Sequence, residues 1–223
     1  RLSNFATKRN LCSGIRFVIE MPKVNNLMTE DLTPEEYNRL TNLLNEDKDI
    51  QASNLLRLAL FTGMRRGELF KLKWKDINLN RKIISIKDPK SGLDEKIPLN
   101  EMALSVLDKH PKTESEFVFP GLGGNQRKTT PRPLRRIIKK AGLNNFRPFH
   151  GLRHAYASTL ASSGKVDLYK LQKLLTHKSP LMTQRYAHLS NDALMEASNV
   201  ISDLTKPETN IIELDEHKVK KGT

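Results

Sequence analysis

The chain has 223 residues, with 38 Lys and Arg against 25 Asp and Glu, a formal net charge of +13 and a pI near 9.8. That length buries a substantial core in one or two domains, and the single cysteine, Cys12, excludes a disulfide framework and a cysteine-based zinc site. No apolar run approaches the roughly 20 residues that cross a bilayer and the N-terminus lacks a signal-peptide apolar region, so a reducing cytosol is the expected compartment and a polyanion the expected partner.

Residues 1–30 mix apolar and basic side chains but hold few that build a core, and Met21-Pro22-Lys23-Val24-Asn25-Asn26 reads as a linker. Because the chain begins with Arg rather than Met, an upstream domain is expected. Thr33-Pro34-Glu35-Glu36 carries a cap, a proline suited to the first helical position and a capping-box glutamate, followed by Leu40, Leu43 and Leu44 at helical spacing. A core helix is expected from Ala52 to Thr62, ended by Gly63, and another from Arg66 to Leu72. Ile83–Ile86 and Lys96–Leu99 read as two short strands around a Pro- and Gly-containing tip, Asp88-Pro89-Lys90-Ser91-Gly92. Residues 101–109, 131–141, 149–163, 167–176 and 191–204 read as helices, which gives a mainly α fold with a small antiparallel β-sheet.

Four segments carry chemistry. Thr62-Gly63-Met64-Arg65-Arg66-Gly67-Glu68-Leu69 is followed by His150-Gly151-Leu152-Arg153-His154, Leu175-Thr176-His177-Lys178-Ser179 and Thr183-Gln184-Arg185-Tyr186-Ala187-His188. A guanidinium is permanently charged and matches phosphate oxygens as a fork, so Arg65 and Arg153 suit a phosphate held from two sides. His150 and Arg153 share a helix face. A phenol has a pKa near 10, so Tyr186 needs neighbouring cations or a base to serve as a nucleophile. Each residue also has a plainer reading: Arg65 as an ion pair with Glu68, Tyr186 as a core aromatic, His154 as a packing or capping side chain. Basic residues cluster near these segments: Lys71, Lys73, Lys75, Arg127, Lys128, Arg132, Arg135, Arg136, Lys139 and Lys140.

In order and spacing the segments resemble the boxes of the tyrosine recombinase (phage integrase) family, T-G-L/M-R-x-x-E-L, H-x-L-R-H and L-L-x-H-x-S-x-x-T-x-x-Y-x-H. The resemblance extends from about residue 27 to 205. It implies the family's catalytic core, with Arg65, His150, Arg153, His177 and Tyr186 as catalytic residues. It also implies a lysine acid on the hairpin before Ile97-Pro98-Leu99, which points to Lys90, with Lys87 and Lys96 on the same hairpin. Residues 1–30 would then be a linker and the end of a core-DNA-binding domain, 31–206 the catalytic domain and 207–223 a C-terminal tail that docks on a neighbouring subunit. Two positions depart from the pattern: Gly151, where an acidic residue is common, and Thr176, where glycine is common.

The activity so implied is site-specific cutting and rejoining of double-stranded DNA through a 3′-phosphotyrosine, in integration or excision of a phage or mobile element. The sequence contains no P-loop and no carboxylate cluster with metal-ligand spacing near the boxes, so no cofactor, metal or ATP is expected. The expected assembly is a homo-tetramer on DNA and a monomer in solution, with accessory DNA-bending proteins as further partners, in the nucleoid region of a bacterial cytoplasm. Resolution of chromosome or plasmid dimers, a topoisomerase using the same tyrosine chemistry, and a catalytically silent DNA-binding protein of the same fold are the alternatives.

Overall fold

The computed structural model describes residues 2–13, 31–87, 94–190 and 198–199. Its first helix, α1 (Leu2–Lys8), precedes α2 (Pro34–Glu46), α3 (Ile50–Thr62) and α4 (Arg66–Lys71). The strands β1 (Ile77–Asn78), β2 (Ile83–Ile86) and β3 (Glu95–Pro98) follow, then α5 (Glu101–Asp108), α6 (Arg132–Lys140), α7 (Pro148–Ser162), α8 (Leu168–Leu174) and α9 (Leu181–Gln184). The expected linker at residues 21–26, the hairpin tip with Lys90, the helix expected at 191–204 apart from residues 198–199, which are helical, and the tail at 207–223 lie outside the described residues.

Local chemistry sets the helix ends. Thr33 Oγ1 accepts from the Glu36 backbone N–H at 3.2 Å while Glu36 Oε2 accepts from the Thr33 N–H at 2.9 Å, the reciprocal capping box that the sequence signals. Asp49 caps α3 by accepting from the Ala52 N–H at 2.8 Å. At its far end Gly63 takes a left-handed φ of 63° and closes the helix. A Cβ on Gly63 would lie 2.5 Å from the Tyr156 ring, so both conformation and packing require glycine. This stop aims the following residues, Met64 and Arg65, back across the domain.

Helix α3 is the centre of the core. Leu55, Leu56, Leu58 and Ala59 are fully buried, so the helix is apolar on nearly every face, and it packs against α2, α5, α6 and α7. Buried Asn54 is satisfied, with Nδ2 3.0 Å from His110 Nδ1 and His110 Nε2 2.9 Å from the Val118 carbonyl; Thr62 Oγ1 donates to the Leu58 carbonyl, whereas the buried Ser53 Oγ finds no partner among the described residues. The sheet is antiparallel in the order β1-β2-β3, with Ile84 opposite Ile97 and both facing the core. Two strands are expected from the sequence; the third, β1, has only two residues, too few for an alternation to register.

Helix α7 joins the two hydrophobic clusters. Leu152 and Ala155 belong to the main core, whereas Ala157 and Ala161 pack with Leu171, Leu175 and Tyr186 in a smaller one. Gly151 lies where the Phe146 ring presses on the helix, and a Cβ there would come within 2.4 Å of that ring. This contact explains the first departure from the family pattern: no acidic side chain fits.

Candidate active site

Both arginines of the boxes reach the same turn. Arg65 caps the start of α4, its backbone N–H donating to Glu68 Oε2 at 2.7 Å and its Nη1 to Glu68 Oε1 at 2.8 Å. The ion pair with Glu68 is therefore present, but it does not use up the guanidinium. Nη1 also donates to Thr176 Oγ1 at 2.6 Å and Nη2 to the Thr176 carbonyl at 3.0 Å. Arg153, on α7, donates from Nη1 to the Gly63 carbonyl at 2.6 Å and from Nη2 to the Leu175 carbonyl. It is only 8% exposed. Burial, followed by the like charge of Arg65, pulls its pKa down to about 10, which leaves it a cation at neutral pH.

Beside the arginines runs a line of three aromatic rings. His150 and His154 are one turn apart on α7, ring centroids 4.4 Å apart and nearly perpendicular, with Nε2 atoms 2.9 Å apart. His154 Nδ1 lies 2.6 Å from the hydroxyl of Tyr186, which is 2% exposed. Each neutral ring carries one proton, so the chain polarises in one of two senses, from Tyr186 through His154 to His150 or the reverse. Burial raises the Tyr186 pKa against the pull of Arg185 and Arg153, so the phenol is protonated in this arrangement. His177 leaves the end of α8 and bonds through Nδ1 to Thr183 Oγ1 at 2.8 Å. Burial, then the charges of Arg153 and Arg65, pushes its imidazole down to about 4, and the ring is neutral near pH 7.

With this geometry in view, residues 30–192 match the model of the Phage integrase family. The chain belongs to that family. It is 30% identical over 221 residues to the integrase of Salmonella phage P22, covering 92% of this chain and 55% of that protein. It is 30% identical over 194 residues to tyrosine recombinase XerA of Pyrococcus furiosus, covering 82% and 66%. This integrase-family chain thus spans about half to two thirds of the curated relatives it matches. Among solved structures it resembles a XerA recombinase (TM-score 0.63, 25% identity, 92% of this chain and 74% of that one). It also shares the fold of the Tn1549 transposon integrase solved in complex with transposon right end DNA (TM-score 0.69, 19% identity, covering 90% and 77%).

Of the residues singled out in the sequence, Arg65, His150, Arg153, His177 and Tyr186 gather around the Leu175–Thr176 turn of the integrase-family fold. Lys90 lies outside the described residues. Lys87, at the end of β2, is described and exposed, and lines a cavity of about 810 Å³ together with Arg65, Lys71, Lys73 and Lys75. The sequence pattern suggests packing or capping for His154, yet it is the partner of the Tyr186 hydroxyl. The available signal was its helical spacing from His150.

The basic cluster also divides. Lys71, Lys73 and Lys75 line the site, Lys73 paired with Glu116 at 2.8 Å, whereas Arg127 is spent on Gln51 and the carbonyls of Phe119 and Pro120 and Arg136 on Asp47. The latter two hold the fold and are not free to track a backbone. A second cavity, of about 380 Å³, is bordered by Arg65, Arg66, Arg147, His150 and Arg153. Among the described residues no group of three or more His, Cys, Asp or Glu is arranged to hold a metal ion, and no helix is long and apolar enough to cross a membrane.

Proposed function

We propose that this chain is the catalytic part of a site-specific DNA recombinase that cuts and rejoins duplex DNA through a 3′-phosphotyrosine. The observation that carries the reading is the convergence of Arg65, Arg153 and the Tyr186–His154–His150 chain beside one turn. In this reading the scissile phosphate enters the groove between Arg65, His150 and Arg153. The two guanidiniums stabilise the charge that builds on its non-bridging oxygens as phosphorus becomes five-coordinate.

The Tyr186 oxygen attacks phosphorus, its proton passes to His154 Nδ1, and His154 returns one from Nε2 to His150. The bond from phosphorus to the 5′ oxygen breaks as that to Tyr186 forms. The leaving oxygen takes a proton from Lys90 in the role implied by the family resemblance. In the second half of the reaction a 5′ hydroxyl of another duplex attacks the phosphotyrosine and restores Tyr186. One phosphodiester replaces another of similar energy, so neither ATP nor a metal is required by this scheme.

A phosphate anion also changes the protonation of the site. Burial comes first in holding His177 down to about 4, and the anion offsets the arginine charges that add to it, so His177 becomes more basic once the substrate is bound and can share or hold a proton near the non-bridging oxygens. The Lys71, Lys73 and Lys75 side of the site follows the flanking backbone and sets affinity rather than sequence preference. Family membership supports extending the proposal to a DNA-bound homo-tetramer assembled from free monomers with accessory DNA-bending proteins, and to integration or excision of a phage or mobile element.

The test is cleavage of nicked duplexes by the full-length protein, comparing one that carries the element's attachment core with one of unrelated sequence. Adducts confined to the attachment core support a site-specific recombinase. Equal adducts on both, with relaxation of supercoils, would point to a topoisomerase, and binding without any adduct to a silent DNA-binding protein.

A further inference from the structure

Thr176 occupies the left-handed region of backbone space at a φ of 49°, a conformation that a β-branched residue adopts only under strain. It is 5% exposed, so contacts within the fold must hold it there. The end of α8 supplies some of them, the Thr176 N–H donating to the Lys173 carbonyl and the His177 N–H to the Gln172 carbonyl, both at 3.0 Å, and Arg65 adds donors to the Thr176 hydroxyl and carbonyl. Glycine would take the same φ freely and would keep the carbonyl; what threonine adds is the hydroxyl.

The donor inventory of Arg65 gives that hydroxyl a use. A guanidinium has five N–H donors. Nη1 is filled by Glu68 Oε1 and Thr176 Oγ1, and one Nη2 proton goes to the Thr176 carbonyl. Among the described residues the Nε proton and the second Nη2 proton remain, and they lie along one edge of the fork, the geometry that meets two phosphate oxygens together. The Arg65 side chain is 38% exposed and borders the groove shared with Arg66, Arg147, His150 and Arg153. The neighbouring carbonyl, that of Leu175, accepts from Arg153, so a single turn sets the register of both arginines.

We infer that Thr176 is a positioning residue, whose hydroxyl and carbonyl take the end of the Arg65 guanidinium and turn its Nε–Nη2 edge into the groove toward phosphate. The helix end holds the turn, and the groups it presents there orient the arginine. This inference rests on the reading of the groove as a phosphate site.

The test follows the Arg65 Nε–H resonance by NMR while inorganic orthophosphate is titrated into the whole chain, with thermal unfolding measured alongside. The resonance is assigned from Arg65→Lys. Thr176→Gly removes the hydroxyl and relieves the φ, whereas Thr176→Ser keeps the hydroxyl. We expect Thr176→Gly to weaken orthophosphate binding about tenfold, the loss of one charge-assisted hydrogen bond, without a lower melting temperature, and Thr176→Ser to bind as the unaltered chain does. Undiminished binding in Thr176→Gly, or equal weakening in Thr176→Ser, would overturn the positioning role and leave the phosphate reading standing. No response of Arg65 to orthophosphate in the unaltered chain would overturn both.

Discussion

The hydroxyl of Tyr186 sits 2.6 Å from Nδ1 of His154, inside a cluster of Ala157, Ala161, Leu171 and Leu175. An apolar pocket fixes the ring and a single imidazole meets its polar end. The phenol is thus held ready beside a proton acceptor while remaining protonated, because burial raises its pKa.

Replacing His154 separates these two roles. His154→Phe keeps an aromatic ring but leaves the Tyr186 hydroxyl buried without its partner, at a cost of about 1–3 kcal/mol. In the same variant single-turnover adduct formation should slow by about a hundredfold, the lower end of what a positioned base contributes. Urea unfolding and a quenched cleavage time course check the two effects, and an unchanged cleavage rate would remove His154 from the proton path.

Arg153 and Arg65 should differ in what they do for stability. Arg153 is nearly buried and satisfies the Gly63 and Leu175 carbonyls, so Arg153→Ala should lower the unfolding free energy by about 2–5 kcal/mol as two buried acceptors lose their donor. Arg65 is more open to solvent, and Arg65→Ala should cost less than half of that while abolishing adduct formation. Denaturation midpoints of the two variants under one set of conditions provide the comparison.

The depressed pKa of His177 carries a pH dependence of fixed sign. Its imidazole titrates near 4 in the fold and near 6.5 when unfolded, so above pH 6.5 both states are neutral and the group has no effect on stability. As pH falls from 6.5 toward 4 the unfolded chain takes up the proton first, and stability declines across that window. His110, lowered by burial, acts in the same direction. His177→Asn should flatten part of the decline in urea midpoint between pH 7 and 4, and an NMR titration should find the His177 ring still neutral at pH 5.

Gly151 yields a packing prediction. Its missing Cβ makes room for the Phe146 ring, so Gly151→Asp, the type of residue common at this position in the family, should destabilise by about 1–3 kcal/mol through overpacking. Phe146→Ala combined with it should recover part of that loss in a double-mutant cycle.

How much of this was legible depends on how local the cause is. The Thr33 capping box, the glycine stop at Gly63 and the helix positions around it are written in neighbouring residues, and the sequence states them directly. The grouping of Arg65, His150, Arg153, His177 and Tyr186 was legible only because the boxes resemble a family, since the residues are far apart in the chain. Three features depend on tertiary closure and were not readable. His154 gains its role only when Tyr186 folds back onto α7; Arg127 and Arg136 find internal partners that charge clustering cannot reveal; and Thr176 takes a left-handed φ that threonine itself does not favour. Helix α9, a single turn, is too short to leave a periodic signature.

The proposed reaction turns on a covalent bond between Tyr186 and DNA. The most direct measurement incubates the full-length protein, unaltered or carrying Tyr186→Phe, with a nicked duplex bearing the attachment core, then analyses denatured products by gel and by mass spectrometry of the tryptic peptides. A denaturant-resistant adduct whose nucleotide maps to Tyr186 is expected in the unaltered protein, and no adduct in Tyr186→Phe. An adduct that persists in Tyr186→Phe, or none from either protein although both bind the duplex, would contradict the proposed reaction.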